Sequence, residues 1–392
     1  MCPRGRAPPR TQLGRLWRVH RRRRRRDGVR PVGEDRGPVT VEALCDLLRD
    51  GDPDDPDWAR LLDLAAAHHV TGRIDADAVP AAHTERVRAA HRESAGHGLG
   101  LVAALQAVDS RLAEASIPAL AFKGPILSDV VAGDLGVRRS VDVDLAVPDD
   151  QFAAAERALV ADGYDVVERF RGLGEVTLRD TDGVSVDLHR SVLGRALPRR
   201  PGVETLLDRG SRRSVGGRTV ATLSPVDRAV VLAVHGTKHR WYRLDWICDW
   251  AALTEEAIDW HAVDRRARSW SVRGAVLTAA WIARAVLGAD LPGPLSAAVD
   301  ADPRGRSIGQ ECLDALRAGP PTPPADRAQF RTLWRALDRR RDRLQYGVRV
   351  ATIPSEADRA AVPLPDALDG LYRVVRPIRL GVRAARDIPS GD

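Results

Sequence analysis

Residues 138–147 read Arg-Arg-Ser-Val-Asp-Val-Asp-Leu-Ala-Val. Aliphatic and acidic positions alternate from Val141 to Leu145, a period of two that predicts a strand. Side chains two apart on a strand share a face, so Asp142 and Asp144 project together from an otherwise apolar element. Two carboxylates side by side repel, and burying them unpaired costs several kcal/mol. A divalent cation removes that cost, and Mg²⁺ takes one or two carboxylates together with phosphate oxygens and water. By the same logic the metal-free protein is strained here, and losing the charge of either Asp142 or Asp144 should stabilise it.

Two flanking segments extend this reading. Upstream, the short apolar strand Ala119 to Phe122 ends in Lys123-Gly124-Pro125. Glycine lets backbone approach a phosphate closely, and the ammonium of Lys123 is a point donor to phosphate. Only two of the 61 basic residues are lysine, Lys123 and Lys238. In so Arg-biased a chain, a surviving lysine suggests a place where the broad guanidinium fork does not serve. Downstream, Val184-Ser-Val-Asp-Leu-His189 sets Asp187 in a second apolar strand. If that strand lies beside the first, three carboxylates converge. Three carboxylates can hold two metals about 3.5–4 Å apart, which activates an attacking hydroxyl and steadies a leaving phosphate.

These motifs resemble the uncharacterised nucleotidyltransferase family of the DNA polymerase beta-like superfamily, which carries a Leu-Lys-Gly loop and an Arg-x-x-x-Asp-hydrophobic-Asp-Leu strand. Here the two read Phe122-Lys123-Gly124 and Arg138 to Leu145, and the third acidic position falls on Asp187. Leu223 to Asp227, His235 to His239, Trp241, Leu244 and Asp249 resemble its helical half. Pro354, Leu364-Pro365 and Arg376-Pro377 resemble its C-terminal part, so the likeness spans roughly residues 58–381. It departs from most of the superfamily in its loop, Lys-Gly-Pro instead of Gly-Gly or Gly-Ser, and in the 17 residues between Gly124 and Asp142. The resemblance implies metal-dependent transfer of a nucleoside monophosphate from an NTP to a hydroxyl. Asp142, Asp144 and Asp187 would bind Mg²⁺ or Mn²⁺ and act in catalysis. Lys123, Gly124, Arg138 and Lys238 would hold the nucleotide co-substrate. The acceptor stays open: a small molecule, a peptide or a protein side chain.

The rest of the chain organises around this segment. Residues 1–38 carry 13 Arg against three acids, and the remainder is slightly acidic. Like charges in a block repel, so 1–38 reads as a disordered tail. Nucleic acid is then expected to bind only through this tail, because duplex or strand binding needs a basic stripe. Residues 39–98 read as a helical lead, 99–222 as an α+β core with a mixed sheet flanked by helices, and 223–318 as a helical domain. Residues 319–392 read as a proline-rich linker, a charged helix over 326–349 and a C-terminal extension. No stretch reaches the length of a membrane span, and the secretory pattern of an apolar leader is missing. Four scattered cysteines suit a reducing compartment, so a cytoplasmic protein is expected.

Other features are open between function and packing. His235 and His239 stand one helical turn apart, as a metal pair would, without an evident third ligand. Lys238 and Asp249 either line a cleft or pair with each other. Six of the nine Trp fall between Trp241 and Trp281, as a base-stacking surface or, at helical spacing, as core. Two rival classes remain: a catalytically silent nucleotide-binding or regulatory protein on the same fold, and a nucleic-acid binder driven by the tail.

Overall fold

The computed structural model describes residues 39–49, 53 and 56–386. The Arg-rich segment 1–38 and the end of the C-terminal extension lie outside the described residues.

Seven strands form one mixed sheet: β1 (Leu120–Ala121), β2 (Asp142–Ala146), β3 (Asp165–Phe170), β4 (Glu175–Arg179), β5 (Ser185–His189), β6 (Ser211–Val215) and β7 (Arg218–Thr222). Their order is β3-β4-β5-β2-β1-β7-β6. β2 runs parallel to β5 and β1 parallel to β7, while the other neighbours are antiparallel. This is the expected α+β core with its mixed sheet. The β6–β7 hairpin was not expected from the sequence. It turns at Gly216 and Gly217, both in the left-handed region that a tight hairpin favours.

Sixteen helices are found among the described residues. α1 (Val41–Arg49), α2 (Trp58–Ala67) and α3 (Ala81–Glu114) lead into the sheet. α4 (Gly124–Ala132), α5 (Phe152–Ala161) and α6 (Val203–Asp208) connect its strands. α7 (Pro225–Lys238), α8 (Leu244–Ala252), α9 (Trp260–Ser269), α10 (Arg273–Leu287), α11 (Gly293–Asp300) and α12 (Pro303–Arg317) follow it. α13 (Asp326–Ala336), α14 (Arg340–Thr352), α15 (Glu356–Ala361) and α16 (Tyr372–Arg386) complete the described chain. None of them is long and apolar enough to cross a membrane.

Two expected boundaries meet a different chain path. The break at 98/99 falls inside α3, one helix of 34 residues. Its glycines 96, 98 and 100 do not interrupt it; Gly98 packs so close to Leu135 that a Cβ would lie 2.9 Å from that residue's Cβ. The charged helix expected over 326–349 is two helices. The chain is extended at Leu337, and Asp338 turns away to accept hydrogen bonds from the Arg273 and Gly274 amides at 3.0 and 3.2 Å, capping α10.

The sheet's two faces differ because the strand period is two. Val143, Leu145, Val176, Leu178, Val186 and Leu188 face α3 and α5 in one buried cluster. The intervening residues Asp142, Asp144 and Asp187 therefore point to the other face. The larger core holds Phe122 and Ala146 together with α7, α8 and α10. Trp241, Trp250, Trp260 and Trp270 are buried in or against it, which is the packing alternative for the tryptophan cluster. Gly236 makes room for Trp241: a Cβ there would stand 2.5 Å from the indole ring.

Candidate active site

β2 and β5 are in parallel register with Asp144 opposite Asp187 and Asp142 opposite Ser185. The three acidic residues therefore share one face of adjacent strands. β4 adds Thr177 opposite Asp187 and Glu175 opposite His189. Asp144, Asp187 and His189 each offer one ligand atom, and these atoms all lie within 4.8 Å of one another. Asp142 stands outside that compact group, one pleat away on the same strand.

The electrostatics divide the carboxylates. Burial disfavours a charged Asp144, but Lys123 and His189 outweigh it and hold its carboxyl well below the usual range. Lys123 Nζ lies 3.3 Å from Asp144 Oδ1. Among the described residues Asp142 makes no ion pair, although the charges of Lys123 and Arg138 act on it. Burial, with the charges of Asp144 and Asp187, pushes its carboxyl up to about 7. Burial raises Asp187 too, against a 2.7 Å hydrogen bond from Thr177 Oγ1. The expected strain of the metal-free site thus rests on Asp142 and Asp187, while Asp144 is ion-paired.

His189 completes the set. Burial opposes its charged form, yet Asp144 and Glu175 raise its pKa to about 9. Its Nδ1 is 3.4 Å from Glu175 Oε1. Its Nε2 is 3.3 Å from Asp144 Oδ1 but is not aligned as a hydrogen bond, and it remains a buried nitrogen with no hydrogen-bond partner. An imidazole nitrogen ion-paired to one carboxylate and beside a second is a donor set that fits a divalent cation once the ring is neutral. Sequence reasoning quoted His189 without giving it a role. The signal was present, because His189 is two residues beyond Asp187 on the same strand face.

Gly124 opens α4 with φ +58°, and a Cβ there would meet the Asp142 carbonyl oxygen at 2.5 Å. Only glycine brings the start of α4 so close to β2. Lys123 sits at the N-cap position of α4. Burial opposes its charge, but Asp144 and Asp142 raise its pKa. The helix N-terminus and the ammonium therefore meet at the carboxylate cluster.

Arg138 is placed differently from the expectation of a phosphate contact. It is buried, its Nε donates to Asp249 Oδ2 at 2.7 Å and its Nη1 donates to Ser140 Oγ at 2.7 Å. Asp249 also pairs with Arg73. Asp249 is thus the centre of a buried ion cluster, with these two arginines and not with Lys238. Lys238 ends α7, half-buried. Burial and the Lys123 charge lower its pKa, and Glu175 opposes the shift. Among the described residues it makes no hydrogen bond or ion pair.

Among the described residues, His235 and His239 belong to no cluster of three or more potential metal ligands. Their rings, 4.8 Å apart, gather around Trp246. Burial and nearby cations, Lys123 and Lys238 among them, lower both pKa values and keep the rings neutral. The three described cysteines are buried, and burial pushes each thiol up to about 12, which leaves them unreactive.

Residues 54–288 of this sequence match the family described as uncharacterised nucleotidyltransferase. Among solved structures, an antigenic nucleotidyltransferase-like protein from Paracoccidioides brasiliensis is 15% identical, with a TM-score of 0.32 over 52% of this chain and 97% of that one. No curated protein matches the sequence.

Proposed function

This chain belongs to the uncharacterised nucleotidyltransferase family, and on that premise we propose that it transfers a nucleoside monophosphate from an NTP to a hydroxyl, releasing pyrophosphate. The observation that carries the reading is the register of β2 and β5, which sets Asp144 against Asp187 with the Nε2 of His189 beside them.

Asp142, Asp144 and Asp187 are the metal-binding carboxylates, and His189 is a fourth donor. Their oxygens suit Mg²⁺ or Mn²⁺, and an imidazole among them tilts the set toward Mn²⁺. A bound divalent cation supplies charge neutralisation on the phosphates and eases loss of the acceptor proton. Lys123 and the amide-rich start of α4 hold the triphosphate, because ammonium, helix dipole and close backbone all favour an anion there. Asp187 orients the acceptor hydroxyl and takes its proton. Thr177 fixes the Asp187 rotamer through its 2.7 Å hydrogen bond. Lys238, which makes no ion pair among the described residues, supplies a second cation toward the nucleotide. Arg138 acts at one remove: with Asp249 and Arg73 it fixes Ser140, two residues before Asp142. Most of the rate enhancement is then positioning and charge stabilisation.

The test is NTP binding by calorimetry with Mg²⁺ or Mn²⁺, followed by pyrophosphate release against a panel of hydroxyl compounds. Metal-dependent NTP binding that Asp144→Asn abolishes supports the reading. Metal-independent binding, or wild-type affinity in that variant, overturns it.

A further inference from the structure

We infer that the acceptor is a compact aromatic alcohol, seated in an apolar chamber that adjoins the carboxylate cluster at Lys238; this rests on the nucleotidyl-transfer reading above. A cavity of about 420 Å³ lies between the β3–β4 turn, α7 and the C-terminal helices. Small-molecule sites are typically about 300–1,000 Å³, mainly apolar, with a few placed polar groups. Its wall includes Phe170 and Leu173 from the turn, Val234 from α7, Phe330 from α13, and Tyr346 and Val350 from α14. Phe330 and Tyr346 stack with centroids 5.4 Å apart and planes 9° from parallel. Such a wall suits a flat apolar body.

The polar groups of the wall are largely engaged. Arg195 donates to the Arg171 carbonyl at 3.2 Å. Arg376 donates to the Val350 carbonyl and pairs with Asp358. Glu356 accepts from the Arg171 amide at 3.0 Å. A ligand covered in hydroxyls would lose most of its water here and find few partners. Lys238 and the exposed Asp326 are the exceptions. Both line the chamber without a hydrogen bond or ion pair among the described residues, and Lys238 is close enough to Glu175, Lys123 and Asp326 for their charges to act on its pKa. The turn supplies a second connection: Gly174, which precedes Glu175, lies against Arg195 of the chamber wall. An alcohol with its body in the chamber would therefore present its hydroxyl at the Lys238 end, toward the carboxylates.

In the reaction the alcohol oxygen forms a bond to the α-phosphorus of the NTP. The bond from that phosphorus to the α,β-bridging oxygen breaks, and pyrophosphate leaves with its electron pair. The hydroxyl proton passes to Asp187 and then to water. The products are an aryl-alkyl ester of the nucleoside monophosphate and pyrophosphate.

The probe is 2-(2-naphthyl)ethanol, an aromatic primary alcohol, added to the full chain and followed by saturation-transfer NMR and calorimetry. Two variants narrow the chamber. Gly194→Phe starts from a wall position where a Cβ meets nothing within 4 Å, and Val350→Phe enlarges a partly buried wall residue. The wild type should bind the probe, both variants should weaken it at least tenfold, and sorbitol should not bind. With Mn²⁺ and NTP, the probe should gain the mass of one nucleoside monophosphate less one water, and in smaller yield in the variants. No binding of the probe, equal binding of sorbitol, or unchanged affinity in both variants overturns the chamber while leaving metal-dependent NTP binding to stand. Probe binding without any metal-dependent NTP binding would instead overturn the nucleotidyl-transfer reading.

Discussion

Asp144 and Asp187 face each other across the parallel pair β2–β5, yet their surroundings differ: Asp144 is paired with Lys123 at 3.3 Å, and Asp187 is held by the neutral hydroxyl of Thr177 at 2.7 Å. Asp144→Asn therefore removes a metal ligand and also strands two nearby cations, Lys123 and His189. We expect it to abolish NTP binding with Mn²⁺ and to lower the melting temperature of the metal-free protein. Asp187→Asn keeps its Thr177 contact and should retain NTP binding while reducing turnover by roughly a hundredfold or more. Calorimetry, melting and pyrophosphate release on both variants separate the roles. Equal NTP affinity in the two would remove the distinction.

Asp142 behaves oppositely. Burial, Asp144 and Asp187 raise its folded pKa to about 7 from an ordinary value near 3.8. The folded state then binds a proton that the unfolded state has already released. Stability falls as pH rises from about 4 to about 7, and the loss persists above. Asp142→Asn cannot lose that proton. Its metal-free melting temperature should exceed that of the wild type by a few degrees at pH 8 and by little at pH 4. Melting curves across this range without metal, and again with Mn²⁺, check the sign. A difference between variant and wild type that stays flat with pH would show that Asp142 is not strained.

These contrasts mark what was legible in sequence. The alternation around Asp142 and Asp144, and around Asp187, gave strands and a shared face because period two is local. Their adjacency needed the β2–β5 register, which no local pattern states. The same period also places His189 on that face, a signal the sequence reading left unused, whereas Glu175 reaches it only through the antiparallel β4–β5 pairing. The partner of Arg138 lies 111 positions away, so an arginine beside an Asp-x-Asp strand read as a phosphate contact although its charge is engaged elsewhere. The continuity of α3 through 98/99 was not legible, because the contact that places Gly98, the close approach of Leu135, is tertiary.

Arg138 offers a test of that difference. Its guanidinium is buried, and its loss leaves Asp249 with Arg73 alone. Removing one partner of a buried ion pair costs about 3–5 kcal/mol. The remaining arginine offsets part of this for Arg138→Ala. The variant should therefore melt several degrees lower. With the fold still formed at low temperature, its NTP affinity should be near that of the wild type. A large loss of affinity with an unchanged melting temperature would return Arg138 to the phosphates.

Lys123 should show the reverse pattern. Lys123→Ala is expected to weaken NTP binding by roughly tenfold or more, the scale of a lost hydrogen bond to a charged group. Lys123→Arg should restore only part of it. The side chain rises from the residue before Gly124, where α4 and β2 approach most closely, and the planar fork needs more room than an ammonium. Full rescue by arginine would mean that charge alone matters.

Gly124 joins structure and chemistry most directly. Its φ of +58° costs an L-residue about 1–2 kcal/mol. A methyl group there would also meet the Asp142 carbonyl oxygen at 2.5 Å. Neither obstacle is a flexible side chain, so Gly124→Ala must move α4 away from β2 or shift the backbone that carries Asp142. The first outcome withdraws Lys123 and the helix N-terminus from the phosphates, and the second displaces a metal ligand. We expect a melting temperature lower by several degrees and loss of metal-dependent NTP binding at temperatures where the variant remains folded. Gly133, which also has positive φ but whose Cβ would meet nothing within 4 Å, is the control. Gly133→Ala carries the backbone cost alone, so it should melt lower but bind NTP with near wild-type affinity. If both variants lose stability and both keep NTP binding, the approach of α4 to β2 is a packing feature and not part of the nucleotide site.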